Sequence, residues 1–420
     1  MMRPLFLLGV IALGACSSKP SPSDGSPDAD VKDAGAPTDA EARLDAHDTE
    51  PLDTGNVNDD ATASDAESSD TRVDAGPLDS GPRWPRPSCA QITGTAGVTF
   101  SFDEGATLNP TRDVLAGVSY TMGLTPLGID GLVLAIVANQ LLKSTDSGCS
   151  WKTIGPVAGG FPPRLAAAGP ARAYAWSENN PELYRIDGEM IRRLGEPVGS
   201  VLGLGVDSAN PDHLRIADGE GQLFESFDGG DRFDRLGTPA FPGSGLVYRG
   251  AFDPKNLDHV LVGAATGGAK LTRDGGRTWS IATGFSVDGR ANIFNVVISP
   301  ASSNVVWAQG IDLVENLANA PGEGRHVYLS TDGGSSFSPV VDQSGSVTLT
   351  NGPLLVPHPT NPNVLYFIFG TYFQGYGTDV FRYEHGVGLT KAHNDYQEVG
   401  ELAFGPGDPQ LMYLGVIRER

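Results

Sequence analysis

The chain has 420 residues, a formal net charge of −22 and 39% apolar residues. That apolar content is enough for a folded core, and with no basic run or stripe anywhere the composition excludes a nucleic-acid-binding surface. No metal-ligand spacing or cofactor motif occurs, so neither a metal nor a cofactor is expected.

At the N-terminus, Arg3 is followed by the apolar run LFLLGVIALGA and then Cys16. The run is too short to span a bilayer. Leu13-Gly14-Ala15-Cys16 resembles the cleavage motif of bacterial lipoprotein signals. The resemblance implies that residues 1–16 are a signal, with Cys16 diacylated as the new N-terminus. It also implies a partner in the membrane and a place in the bacterial cell envelope, at the outer membrane or cell surface, because Ser17 follows the Cys. The alternative is an ordinary secretory peptide with a chance Cys. From residue 17 to about 85, Asp, Ala, Ser, Thr, Gly and Pro dominate, and residues 17–80 hold 17 Asp or Glu against 4 Lys or Arg. That is −13 of the −22, leaving −9 for the rest. Such a segment cannot bury enough apolar area to offset its chain entropy, so residues 17–85 are expected to be a disordered acidic linker, extended by self-repulsion. The D-x-D-x-D-G-x5-E pattern is absent, which disfavours calcium loops.

Beyond the linker one pattern recurs, Ser-x-Asp-x-Gly-x-x-aromatic. It runs through Ser144, Asp146, Gly148 and Trp151, then Ser226, Asp228, Gly230 and Phe233. A third copy has Thr272, Asp274, Gly276 and Trp279, and a fourth Ser330, Asp332, Gly334 and Phe337. An earlier copy keeps Ser101, Asp103 and Gly105 with Leu108 in place of the aromatic. Each copy lies between two short apolar runs, as a hairpin turn should. The Asp accepts turn N–H groups, the Gly supplies positive φ, and the ring packs back between sheets. These residues resemble the Asp-box, or BNR, repeat of sialidases, sortilin-type receptors, xyloglucan-hydrolysing enzymes and photosystem-assembly propellers. From Asp228 onward the boxes sit in a longer module with a Pro-containing turn, as in AFDPKNLDHVLVGA and VISPASSNVVWAQG. That module is similar to the blade repeat of sortilin and the xyloglucan enzymes.

A period of about 40 to 50 residues implies four-stranded propeller blades. Asp187 and Glu384 fill the gaps between boxes, so the turn acids Asp103, Asp146, Asp187, Asp228, Asp274, Asp332 and Glu384 count seven blades. After Glu384 the chain supplies two strands and no box, whereas Ser101 begins a box with no strand pair before it. The expected fold is therefore all-β: a single seven-bladed β-propeller over residues 90–420, of four-stranded antiparallel blades. It is closed by pairing N- and C-terminal strands, and a monomer is expected. Cys89 and Cys149 are candidates for one disulfide, with two free thiols as the alternative.

Asp-box propellers include hydrolases, receptors and assembly factors, so the resemblance leaves activity open. The sialidase Arg-Ile-Pro motif is missing, since Arg83 and Arg86 lie in RWPRPSC, which lacks the Ile and reads as linker. No arginine triad can be assigned from Arg249, Arg290 and Arg325 by spacing. Enlarged loops are predicted on the face opposite the boxes, around Arg290, residues 310–326, 370–379 and 389–397. There Tyr372, Phe373 and Tyr376 offer stacking faces, with Arg290, His393 and Asp395 as polar partners; packing of those rings on their own blade is the competing reading. The expected function is a lipid-anchored, non-catalytic module that binds protein or glycan through this face. The alternative is a glycan-degrading hydrolase or lyase, which would need paired carboxylates or an arginine cluster at the channel mouth.

Overall fold

The computed structural model describes residues 84–93, 97–112, 123–157, 163–178, 180–243, 246–349, 354–368, 380–393 and 398–418. Six four-stranded antiparallel sheets follow one another along the chain, spanning residues 124–156, 163–193, 203–236, 247–281, 291–342 and 355–393. We number them blades 1 to 6. Blade 7 has three strands among the described residues, in the order Val98–Ser101, Asp408–Arg418, Glu398–Gly405. Val98 pairs with Gly415 and Ser101 with Met412, so the two ends of the repeat region share one sheet, as the half-modules predict. The fold is a seven-bladed β-propeller.

Core packing explains why the ring needs all its blades. Each of seven buried apolar clusters draws side chains from two adjacent blades, one cluster per junction. Val364 and Tyr366 of blade 6 meet Met412 and Leu414 of blade 7, for example. Among the described residues no cluster is confined to one blade. Second strands are the most buried, and in blades 1 and 6 they read as continuous hydrophobic runs, VLAIV at Val133–Val137 and VLYFI at Val364–Ile368. Outer strands such as Lys152–Pro156 are half exposed.

The box turns occupy the end of each blade that carries the third-to-fourth strand hairpin. In the turn at Asp274, the Thr272 hydroxyl donates to Asp274 Oδ1 (2.8 Å) and accepts the Gly276 N–H (2.9 Å). Thr278 donates its N–H to Oδ1 (2.9 Å) and its hydroxyl to Oδ2 (2.7 Å). The turns at Asp146 and Asp332 repeat this pattern with serines, and each box glycine at positions 105, 148, 230, 276 and 334 has φ between 84° and 95°. A box also latches to the blade before it. The Thr238 N–H, just past the last strand of blade 3, donates to Gly276 O at 2.8 Å. The Thr283 N–H does the same to Ser335 O at 3.1 Å.

These bonds hold the box carboxylates low. Donation from Thr278 and Thr272 brings Asp274 to about 2. For Asp332 burial works upward, but bonds from Ser336 and Ser330 outweigh it, again giving about 2. A depressed carboxylate contributes stability that is complete above its unfolded value of 3.8 and is lost as pH falls through the folded one. The melting temperature should therefore decline between about pH 4 and about pH 2, and less steeply in an Asp274→Asn, Asp332→Asn double variant. Equal declines would show that the boxes are not the acid-sensitive element.

Two expectations need correction. The box ring is expected to pack back between sheets, yet Trp279 is only partly buried, because its indole reaches across the junction to donate to Thr238 O at 2.8 Å. Among the box aromatics Phe337 is the buried one, at 5% exposure. Arg86 was assigned to the linker, but WPRPSC is folded onto blades 7 and 1. Trp84 is buried and donates to Tyr413 Oη (3.1 Å), Pro85 O accepts the Ser147 hydroxyl (2.6 Å), and Arg86 pairs with Asp408. The Cys89–Cys149 disulfide, with Cα atoms 5.7 Å apart, pins the same segment to the box of blade 1.

Candidate functional site

The first strand of each blade lies innermost. These strands pack in succession, blade 7 on 1, 1 on 2, and so on to blade 6, and they line the central channel. Each runs toward a turn whose first residue is Leu127, Ala168, Asp207, Asp253, Ser299, His358 or Gly405. Counting back four residues from each gives one equivalent register position per blade: Gly123, Arg164, Gly203, Arg249, Asn295, Leu354 and Glu401. Three of the seven are charged and meet around Glu178, which follows the second strand of blade 2. Glu178 Oε1 accepts from Arg164 Nε (3.1 Å) and forms an ion pair with Arg249 Nη2 (2.6 Å), while Arg164 Nη1 lies 3.9 Å from Glu401 Oε2.

Glycines stand at the intervening ring positions. Arg164 of blade 2 reaches Glu401 of blade 7 across blade 1, whose ring position is Gly123. Arg249 of blade 4 reaches Glu178 of blade 2 across blade 3, whose ring position is Gly203. A Cβ at Gly123 would meet the Ile136 side chain. Gly203 is also demanded by packing, since a Cβ there would run into the Gly250 carbonyl oxygen of the next strand.

Local backbone irregularity aims the ring residues. The register slips between Val247 and Arg249, between Ile293 and Asn295, and between Val399 and Glu401, a bulge at the same place on three inner strands. The bulged residues Tyr248 and Phe294 turn onto each other, with ring centroids 4.9 Å apart. Burial pushes the Glu401 carboxyl above its ordinary value. Burial, reinforced by the Arg164 charge, pulls Arg249 down to about 10.

The loops at this end are the enlarged ones. Residues 282–290 bring Val287, and residues 313–324 carry the short helix Leu313–Leu317, capped by Asp312 and exposing Leu317. The Leu313 N–H donates to Arg290 O (3.1 Å), tying the two loops together. Of the residues predicted here, Arg290 is exposed and pairs with Asp288 (2.6 Å), away from the ring. Arg325 pairs with Glu323 and donates to Leu349 O, so Arg249, Arg290 and Arg325 form no triad. His393 lies in the strand Gly388–His393, with its side chain outside the described residues. Cys16, Tyr372, Phe373, Tyr376 and Asp395 also lie outside them. Arg164, Glu178 and Glu401 were not anticipated. The available signal was the module itself, four residues before the Pro-containing turn.

No family model matches the chain. The dispase autolysis-inducing protein of Streptomyces mobaraensis is 45% identical over 336 residues, covering 79% of this chain and 90% of that protein. Among solved structures, an ancestral GH74 enzyme superposes with a TM-score of 0.52 at 16% identity, over 71% of this chain and 44% of that one. YCF48 bound to D1 peptide gives 0.50 at 11% identity, over 78% and 99%. At such identities these two structures share the fold alone.

Proposed function

Because the chain belongs to the family of the dispase autolysis-inducing protein, we propose that it is a non-catalytic binding propeller whose loop-rich face engages a protease and promotes its self-cleavage. The carrying observation is the 45% identity with that relative, which extends over 90% of the relative's length. Surface chemistry supports the choice of face. Leu246, Val287 and Leu317 are exposed on the loops of blades 4 and 5, and Tyr248 on the first strand of blade 4. At the box end the exposed apolar residues Ile129, Met190, Phe227 and Val387 are scattered one to a blade. In this reading the Asp boxes are structural turns, Cys16 carries a lipid anchor at the cell envelope, and the acidic linker holds the propeller away from the membrane.

A time course of dispase with and without the chain tests the proposal. Intact dispase should disappear faster with the chain present, and not at all once its active site is blocked. An unchanged rate, or cleavage of blocked dispase, would overturn it.

A second reading rests on the ring carboxyls. Glu401, held high by burial beside the paired Glu178, has the environment of a general acid. This favours a glycan hydrolase or lyase, for which release of products from a polysaccharide panel, abolished in Glu401→Gln, is the test.

A further inference from the structure

We propose that the channel ring is a carboxylate-binding site in which Arg249 grips the ligand. Arg249 Nε is buried without a hydrogen-bond partner, while Nη2 is committed to Glu178 at 2.6 Å. An N–H of a charged group with no acceptor, shut off from water, carries a cost that an incoming acceptor removes. Arg164 shares Glu178 with Arg249 and lies 3.9 Å from Glu401 Oε2, so Nε of Arg249 is the donor of the ring that has no acceptor. A single carboxylate can accept from it. A doubly charged phosphate would crowd Glu178, so the monoanion is the better match. The side chains of Arg164, Glu178 and Arg249 each stay 18% exposed, so the ring borders solvent, and a carboxylate reaches Nε by displacing the packing that covers it.

The carboxylate has two available sources, a free small acid or an acidic side chain of a docked protein. Calorimetric titration of the chain separates them. One arm uses acetate and succinate against chloride at matched ionic strength; the other uses a capped peptide with one Glu against its Gln counterpart. Saturable binding of the small acids assigns a free ligand, and binding of the Glu peptide alone assigns a partner's side chain. Either outcome supports the site. Arg249→Gln should weaken binding roughly tenfold or more, as loss of a charge-assisted hydrogen bond does. Glu178→Gln should strengthen it by releasing Nη2, and this variant decides the matter if Arg249→Gln does not fold. No binding in either arm, unchanged binding in a folded Arg249→Gln, or no gain in Glu178→Gln would overturn the proposal. Its failure would leave the engagement of a protease untouched.

Discussion

Deleting residues 401–420 should abolish the folded state, whereas deleting residues 17–80 should leave the melting temperature of the propeller nearly unchanged. The C-terminal strand Asp408–Arg418 is the middle of the closing sheet, bonded to Glu398–Gly405 on one side and Val98–Ser101 on the other. It carries Leu411, Met412, Tyr413 and Leu414, all at 0% exposure, and two of the seven inter-blade clusters depend on them. Each such side chain contributes about 1.5–3 kcal/mol on burial. Four together are comparable with the ~5–15 kcal/mol net stability of a whole domain. Loss of the strand would also unpair the backbone of Val98–Ser101 and leave Trp84 without the Tyr413 hydroxyl. Circular dichroism and limited proteolysis of the two deletions check this. A cooperative melt in the C-terminal deletion, or its loss on removing residues 17–80, would mean that the ring does not close through its ends.

Phe337→Ala should cost about 3–5 kcal/mol, the usual range for emptying a buried aromatic site, and clearly more than Trp279→Ala. The Phe337 ring stacks on Phe285 with centroids 4.4 Å apart, and Phe285 in turn meets Tyr328 edge-on at 5.1 Å. Removing Phe337 therefore opens a void inside the junction of blades 4 and 5. Trp279 is partly solvated, and its loss leaves the Thr238 carbonyl free to turn to water. Urea denaturation of both variants provides the comparison. A larger loss for Trp279→Ala would contradict the burial of the two rings, Phe337 between blades 4 and 5 and Trp279 at the edge of the blade 3–4 junction.

The boxes were legible because each is local: Ser, Asp, Gly and the aromatic sit within eight residues, and their bonds close inside one turn. Their count gave the blades, and the half-modules at the two ends gave the closure. Burial of a given ring was not legible, since Phe337 and Trp279 hold the same place in the pattern and differ only in what the neighbouring blade presents. The start of the folded region was misplaced for a related reason. Trp84 and Arg86 stand in a Pro-rich stretch that looks like linker, and their partners Tyr413 and Asp408 lie at the far end of the chain. The ring was least legible. Arg164, Arg249 and Glu401 come from three blades and stand far apart in the chain. That relation appears only when the inner strands are aligned on their turns.

The most direct measurement of the central claim is the rate of dispase self-cleavage with one end of the propeller blocked at a time. Val287 at the loop-rich face is 92% exposed and Val387 at the box end is 74% exposed, so a cysteine at either, capped with polyethylene glycol, should leave the fold intact. The account predicts that the cap at position 287 slows self-cleavage toward the rate of dispase alone, while the cap at 387 changes little. Full activity with position 287 capped, or loss of activity only with position 387 capped, would contradict it.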